Sequence, residues 1–145
     1  LPDATERTRA LMASLLISAD NAHGVHPNFP ARHDDNHGPL LNRGPVLKVN
    51  TNQRYATNSV TAARLRQWAR DADVPLQTFV ARNDMGCGST IGPLTAARIG
   101  VPTLDLGVPT LAMHSIRELA GAADAESLFT LATRCFNHSG SLAVD

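Results

Sequence analysis

Leu15-Leu16-Ile17-Ser18-Ala19-Asp20, followed at once by Asn21-Ala22-His23-Gly24-Val25-His26-Pro27, is the stretch from which the fold of this chain is read. The apolar run has the length of a buried strand, and it stops at a carboxylate. Sheets of the α/β class place their chemistry just beyond the carboxyl ends of their strands. Asp20 and, three residues on, His23 therefore stand where a hard divalent cation and its substrate would be met. Another histidine, in Leu111-Ala112-Met113-His114-Ser115-Ile116-Arg117-Glu118, is distant in sequence and also adjoins a predicted strand end.

Working outward, the elements alternate. Asp3 caps a predicted helix through Ser14, and Leu15 to Ala19 forms the first strand. Residues 21–44, rich in Pro, Gly and Asn, read as a long irregular loop, the kind that carries function when ordered. Pro45 to Asn50 alternates as a strand, with Lys48 facing opposite to Leu47 and Val49. Thr57-Asn58-Ser59 caps a helix to about Ala72, with Val60, Ala63, Leu65 and Trp68 as its apolar contacts. Leu76 to Ala81 is a strand. The glycine turn Gly86-Cys87-Gly88-Ser89-Thr90 then opens a helix from Ile91 to Ile99. Val101 to Leu106 is a short buried strand, His114 opens a helix through Leu119, and Asp124 caps a last helix, Ala125 to Phe136. This order predicts a layered α/β sheet, partly parallel.

The chain has 145 residues, 43% of them hydrophobic, which suits one domain or a large piece of one. Its 13 basic and 13 acidic residues cancel without long like-charge runs, which argues against nucleic acid or an anionic membrane as partner. The apolar runs are too short to cross a bilayer and no signal peptide is evident, so a soluble, cytoplasmic protein is expected. Cys87 and Cys135 lack CxxC spacing and read as buried thiols. The start at Leu1 suggests a fragment. Lys48 is the one lysine beside 12 arginines, and Tyr55 the one tyrosine. A lone lysine hints at a place that needs a compact ammonium.

His23, His26, His33 and His37 do not read as a structural zinc cluster: Pro27 and Pro30 prevent helical alignment and no cysteine joins them. The glycine turn lacks the P-loop lysine and the GxGxxG spacing, although its amides suit a carboxylate or carbonyl oxygen, or simply a tight turn. Around His114, the residues Asp105, Arg117 and Glu118 are candidates for fixing an imidazole tautomer. Ser115 lacks a Ser/His/Asp context.

Several segments together resemble the M18 family of metallo-aminopeptidases, the aspartyl aminopeptidase group. They are Ser18 to Asn28, Asn36-His37-Gly38-Pro39-Leu40, Gly44 to Asn50, Gln53-Arg54-Tyr55-Ala56-Thr57-Asn58, Arg82 to Pro93, Leu104-Asp105-Leu106-Gly107 and Leu111 to Glu118. The resemblance implies a layered α/β/α sandwich with a largely parallel sheet. It makes residues 1–145 a C-terminal segment of the catalytic domain, with the dimerisation insert and N-terminal catalytic segment absent. It also implies a site with two zinc ions, Asp20 binding one and His114 the other, and His23, Lys48 and Tyr55 contacting substrate. No catalytic base falls within this chain. The implied substrate is a peptide with a free N-terminus, Asp or Glu first. The implied partners are the rest of the parent polypeptide and further copies, the family forming dodecamers. The segment alone is expected to be inactive. The alternative reading is a stand-alone, non-catalytic α/β module binding anions or peptides through Lys48 and the glycine turn.

Overall fold

The computed structural model describes residues 2–142. Helix α1 (Ala4–Met12) begins where Asp3 Oδ1 accepts from the Glu6 N–H and Glu6 Oε2 accepts from the Asp3 N–H, a reciprocal cap that satisfies two of the helix's orphan donors. It buries none of its residues. The strands are β1 (Leu16–Ala19), β2 (Ala22–His23), β3 (Val46–Val49), β4 (Gln77–Val80), β5 (Thr103–Gly107), β6 (Pro109–Leu111) and β7 (Leu119–Ala120). The remaining helices are α2 (Ser59–Asp71), α3 (Ile91–Ile99) and α4 (Ala122–Phe136). No helix among the described residues is long and apolar enough to cross a membrane.

The main sheet has the order β1-β5-β3-β4. Strand β1 runs parallel to β5 and β3 parallel to β4, while β3 meets β5 antiparallel at the centre. The layered architecture and the largely parallel sheet are thus as expected, with the opposed pair in the middle as the exception. Leu47, Leu104 and Leu106 point to one face, where Leu65, Trp68 and Ala69 of α2 and Leu131 and Cys135 of α4 complete the core. Strand alternation turns Lys48 and Asp105 to the other face, the side on which Gly92 of α3 approaches.

Several local expectations are corrected. On α2 the inward stripe is Thr61, Ala62, Leu65, Trp68 and Ala69, and Val60 and Ala63 are exposed. Asn58 accepts from the Val60 and Thr61 N–H groups, and this cap sets the helical phase that decides which side chains turn inward. Helix α4 starts earlier than predicted, after Gly121. Asp124 is not its cap: fully buried in the first turn, it accepts from the Asn42 and Gly44 N–H groups at 2.7 and 2.8 Å and pins the end of the long loop. Residues 21–44 are not wholly irregular, since β2 and a 3-10 turn at Pro30–Arg32 interrupt them. No helix starts at His114. Strands β6 and β7 pair antiparallel, Thr110 with Ala120 and Leu111 with Leu119, so residues 112–118 are a hairpin loop.

Candidate functional site

The site lies where β1 and β5 end together. Ala19 pairs with Leu106, and Leu106 pairs in turn with Leu47, so the middle of β3 comes beside the carboxyl ends of β1 and β5. Beyond these ends the chain steps into the small sheet β2-β6-β7, with His23 of β2 beside Thr110 of β6. Gly107 allows this crossing. A Cβ there would lie 1.7 Å from the Asp20 carbonyl oxygen, a backbone atom that cannot rotate aside. Gly107→Ala is expected to destabilise the fold by ~1–3 kcal/mol, measured by denaturant unfolding. A loss under ~0.5 kcal/mol, the range of ordinary surface changes, would show that the Asp20 backbone has slack.

A cleft of about 80 Å³ is lined by Asp20, His23, Lys48, Tyr55, the Gly88–Thr90 turn and His114, so the fold brings all five candidate residues together. A larger hollow of about 370 Å³ adjoins it, sharing His23 and Met113. That hollow lacks Asp20, Lys48, Tyr55 and His114, and the five candidate residues meet in the smaller cleft.

Lys48 is 1% exposed. Its Nζ donates to the carbonyl oxygens of Asp20 at 3.0 Å and Asn21 at 3.3 Å, lies 3.7 Å from Asp20 Oδ2 and stands 5.1 Å from the Tyr55 ring centroid. Two of its three donors are thus engaged by the backbone that carries Asp20. Burial lowers the Lys48 pKa from its ordinary 10.5, against the opposing pull of Asp20 and Asp105. Tyr55, also buried, has its phenol pushed well up, by burial first and then by Cys87, so it remains an O–H donor through the neutral range. His23 is shifted down, by burial and then by the nearby His114 and Lys48, which favours the neutral imidazole with one donor and one acceptor nitrogen.

His114 sits at φ 71°, with Ala112 at φ 55°, left-handed conformations that L residues adopt at a cost. Glu118 Oε1 accepts from the His114 N–H at 2.6 Å and Ser115 Oγ from the Arg117 N–H at 3.1 Å, so the hairpin loop is held by its own side chains. Glu118 therefore holds the backbone of His114, not its imidazole. Asp105 does not orient His114 either. It lies in the core of β5 and accepts from Ala56 N–H and Thr90 O–H. The other loop histidines stay apart from the cleft: His26 Nδ1 accepts from Asn28 N–H, and His37 pairs with Asp34 at 2.5 Å.

Asp20 and His114 present one carboxylate, 48% exposed, and one exposed imidazole to the same cleft, donors of the chemistry zinc takes. Among the described residues no three His, Cys, Asp or Glu side chains converge to hold a metal. The pair fits as part of a zinc site, with further donors required.

Residues 2–136 match the family model described as aminopeptidase I zinc metalloprotease (M18). A probable M18 family aminopeptidase 2 of Pseudomonas aeruginosa (strain LESB58) is 63% identical over 128 residues, 88% of this chain and 30% of its own length. A chain in the cryo-EM structure of the Ape4 and Nbr1 complex matches with a TM-score of 0.87 at 47% identity, covering 94% of this chain and 26% of that one. The S. cerevisiae mApe1 dodecamer structure matches with a TM-score of 0.81 at 33% identity, covering 91% and 28%. The chain spans about 30% of the length of the curated relatives it matches.

Proposed function

Because the chain belongs to the M18 family of aminopeptidase I zinc metalloproteases, we propose that it is the C-terminal part of the catalytic domain of a zinc aminopeptidase that releases N-terminal Asp or Glu. The convergence of Asp20, His23, Lys48, Tyr55 and His114 in one cleft carries this reading. Asp20 and His114 would hold zinc, one ligand to each of two ions. When bound, the metal supplies Lewis acidity for the peptide carbonyl and an acidified water.

The chain's own residues select and orient the substrate. The buried Lys48 ammonium, held by its two backbone partners and facing Asp20 Oδ2 at 3.7 Å, suits the side-chain carboxylate of the first residue as a charge-assisted partner in the cleft. The Tyr55 hydroxyl donates to the scissile carbonyl and to the charge that develops there. Neutral His23 offers a second hydrogen bond at the same edge of the cleft. Outside the cleft, Ile91 and Leu94 lie exposed three residues apart on α3, an apolar face that suits cover by the rest of the parent polypeptide. Homo-oligomers, as in the mApe1 dodecamer, are the assembly this reading favours.

The test compares the 145-residue chain with a full-length polypeptide containing it, assaying zinc content and hydrolysis of an Asp-initiated peptide. The full-length protein is expected to retain about two zinc ions per chain and to turn over the peptide, with no turnover by the segment alone. A full-length protein that binds no zinc and cleaves no peptide would overturn the reading in favour of a non-catalytic binding module.

A further inference from the structure

Asp105 is 0% exposed in an inner strand of the sheet, and its carboxylate and N–H bond to segments that line the cleft or adjoin one. Its Oδ2 accepts from the Ala56 N–H at 2.6 Å, and its Oδ1 accepts from the Thr90 hydroxyl at 2.5 Å. Its own N–H donates to Thr57 Oγ1 at 2.9 Å. The carboxylate thus binds the residue that follows Tyr55 and the residue that ends the glycine turn.

The local structure is arranged around that carboxylate. Thr90 is the residue before the first turn of α3, yet its side chain caps no helix N–H and its hydroxyl donates to Asp105 instead. Gly92, two residues into α3, has no room for a side chain: a Cβ there would lie 2.7 Å from both Asp105 carboxylate oxygens. The N-terminal end of α3 therefore rests directly on a negative charge, the favourable sign for a helix dipole. Above it, Arg54 Nε donates to the Cys87 carbonyl at 3.0 Å and Ser89 Oγ donates to the Arg54 carbonyl at 3.1 Å. The segments Arg54–Thr57 and Cys87–Thr90 are zipped together at the surface and clamped from beneath by one buried group.

We infer that Asp105 is a positioning residue: its carboxylate ties the Tyr55 turn to the glycine turn, so that Tyr55 and Gly88–Thr90 hold their places as walls of the cleft. For catalysis the inference rests on the proposed role of Tyr55 toward substrate. For geometry it stands on the hydrogen bonds alone. Leu at this position has nearly the same shape but no acceptor, so neither the Ala56 N–H nor the Thr90 O–H keeps its partner, whereas Asn could still accept from Ala56 N–H and donate to Thr90 Oγ.

The test uses Asp105→Leu, with Thr90→Val as a second variant should the first fail to fold. In the 145-residue chain, amide exchange and the NMR signals of Tyr55, its one tyrosine, report the clamp. Exchange at Ala56 is expected to accelerate by about tenfold or more relative to Leu47 in the core, the scale of one lost charge-assisted hydrogen bond, and the Tyr55 ring signals to shift. Equal acceleration at Ala56 and Leu47 would mean general loss of stability and would overturn the inference. In the full-length polypeptide, Asp105→Leu is expected to lower kcat by about tenfold or more with KM little changed. In a Tyr55→Phe background it should cost almost nothing further, because both changes act on the same contact. Full additivity of the two losses would also overturn it. If the exchange result holds but Tyr55→Phe leaves turnover intact, the clamp stands and the role of Tyr55 in catalysis is what fails.

Discussion

Asp20→Ala in a full-length polypeptide containing this segment is expected to cut peptide turnover by at least about a thousandfold. A metal contributes several kcal/mol of charge stabilisation, at about 1.4 kcal/mol per factor of ten in rate. His114→Ala should match it. His114 is exposed at the cleft, so its unfolding midpoint should move far less than activity does, whereas Asp20→Ala also takes a counter-charge from the buried Lys48 and carries a stability loss of its own. The zinc content of each variant separates loss of metal from loss of fold. Asp20→Asn sharpens the test, since it keeps the side-chain shape and removes the charge. Turnover and zinc content at parental levels in both alanine variants would exclude them as ligands.

Lys48→Met is expected to change two independent observables. In the full-length protein kcat/KM for peptides beginning with Asp or Glu should fall by about a hundredfold, the scale of removing one partner of a buried charge pair, while a Leu-initiated peptide is little affected. An equal loss on the Leu substrate would count against a charge role. The other observable is stability of the 145-residue chain as a function of pH. Burial lowers the Lys48 pKa below its ordinary 10.5, so the folded state releases this proton more readily than the unfolded state does. Between the lowered value and 10.5 the unfolded chain therefore binds more protons, and stability rises with pH across that window. Below the window the cost of the buried charge is present in full. The parent should thus gain on the Met variant as pH is raised toward 10.5. A difference between the two that stays constant through that range would show that Lys48 carries no such cost.

Much of the architecture was legible because its signals are local. Asp3 with Glu6, and Asn58 ahead of α2, mark helix starts by side chains that satisfy backbone donors close by. The continuous apolar run before Asp20 marks a strand by its length, and the alternation around Lys48 marks one by its period. The small sheet leaves no sequence signal because strands as short as Ala22–His23 and Leu119–Ala120 show no period, and pairing with β6 alone defines them. The segment after Leu111 has helix-compatible composition, but its loop is held by left-handed residues and by Glu118, neither of which leaves a mark on hydrophobic spacing. The place of Asp105 is hidden from the sequence for a related reason. Its sequence neighbours suggest a role toward His114, whereas its partners, Ala56 and Thr90, come from other elements.

By itself the sequence determined the alternation of helices and strands, the donor types at Asp20 and His114, and the singular lysine and tyrosine, since these are properties of residues and of short windows. Only the tertiary structure decided that β3 runs against β5, which carries Lys48 to the backbone of Asp20. It also decided that the hairpin loop returns His114 to the same cleft and that Asp105 clamps the walls there. Those outcomes depend on long-range pairing, on backbone hydrogen bonds and on close approaches at Gly92 and Gly107, and none of these is encoded in the spacing of neighbouring residues.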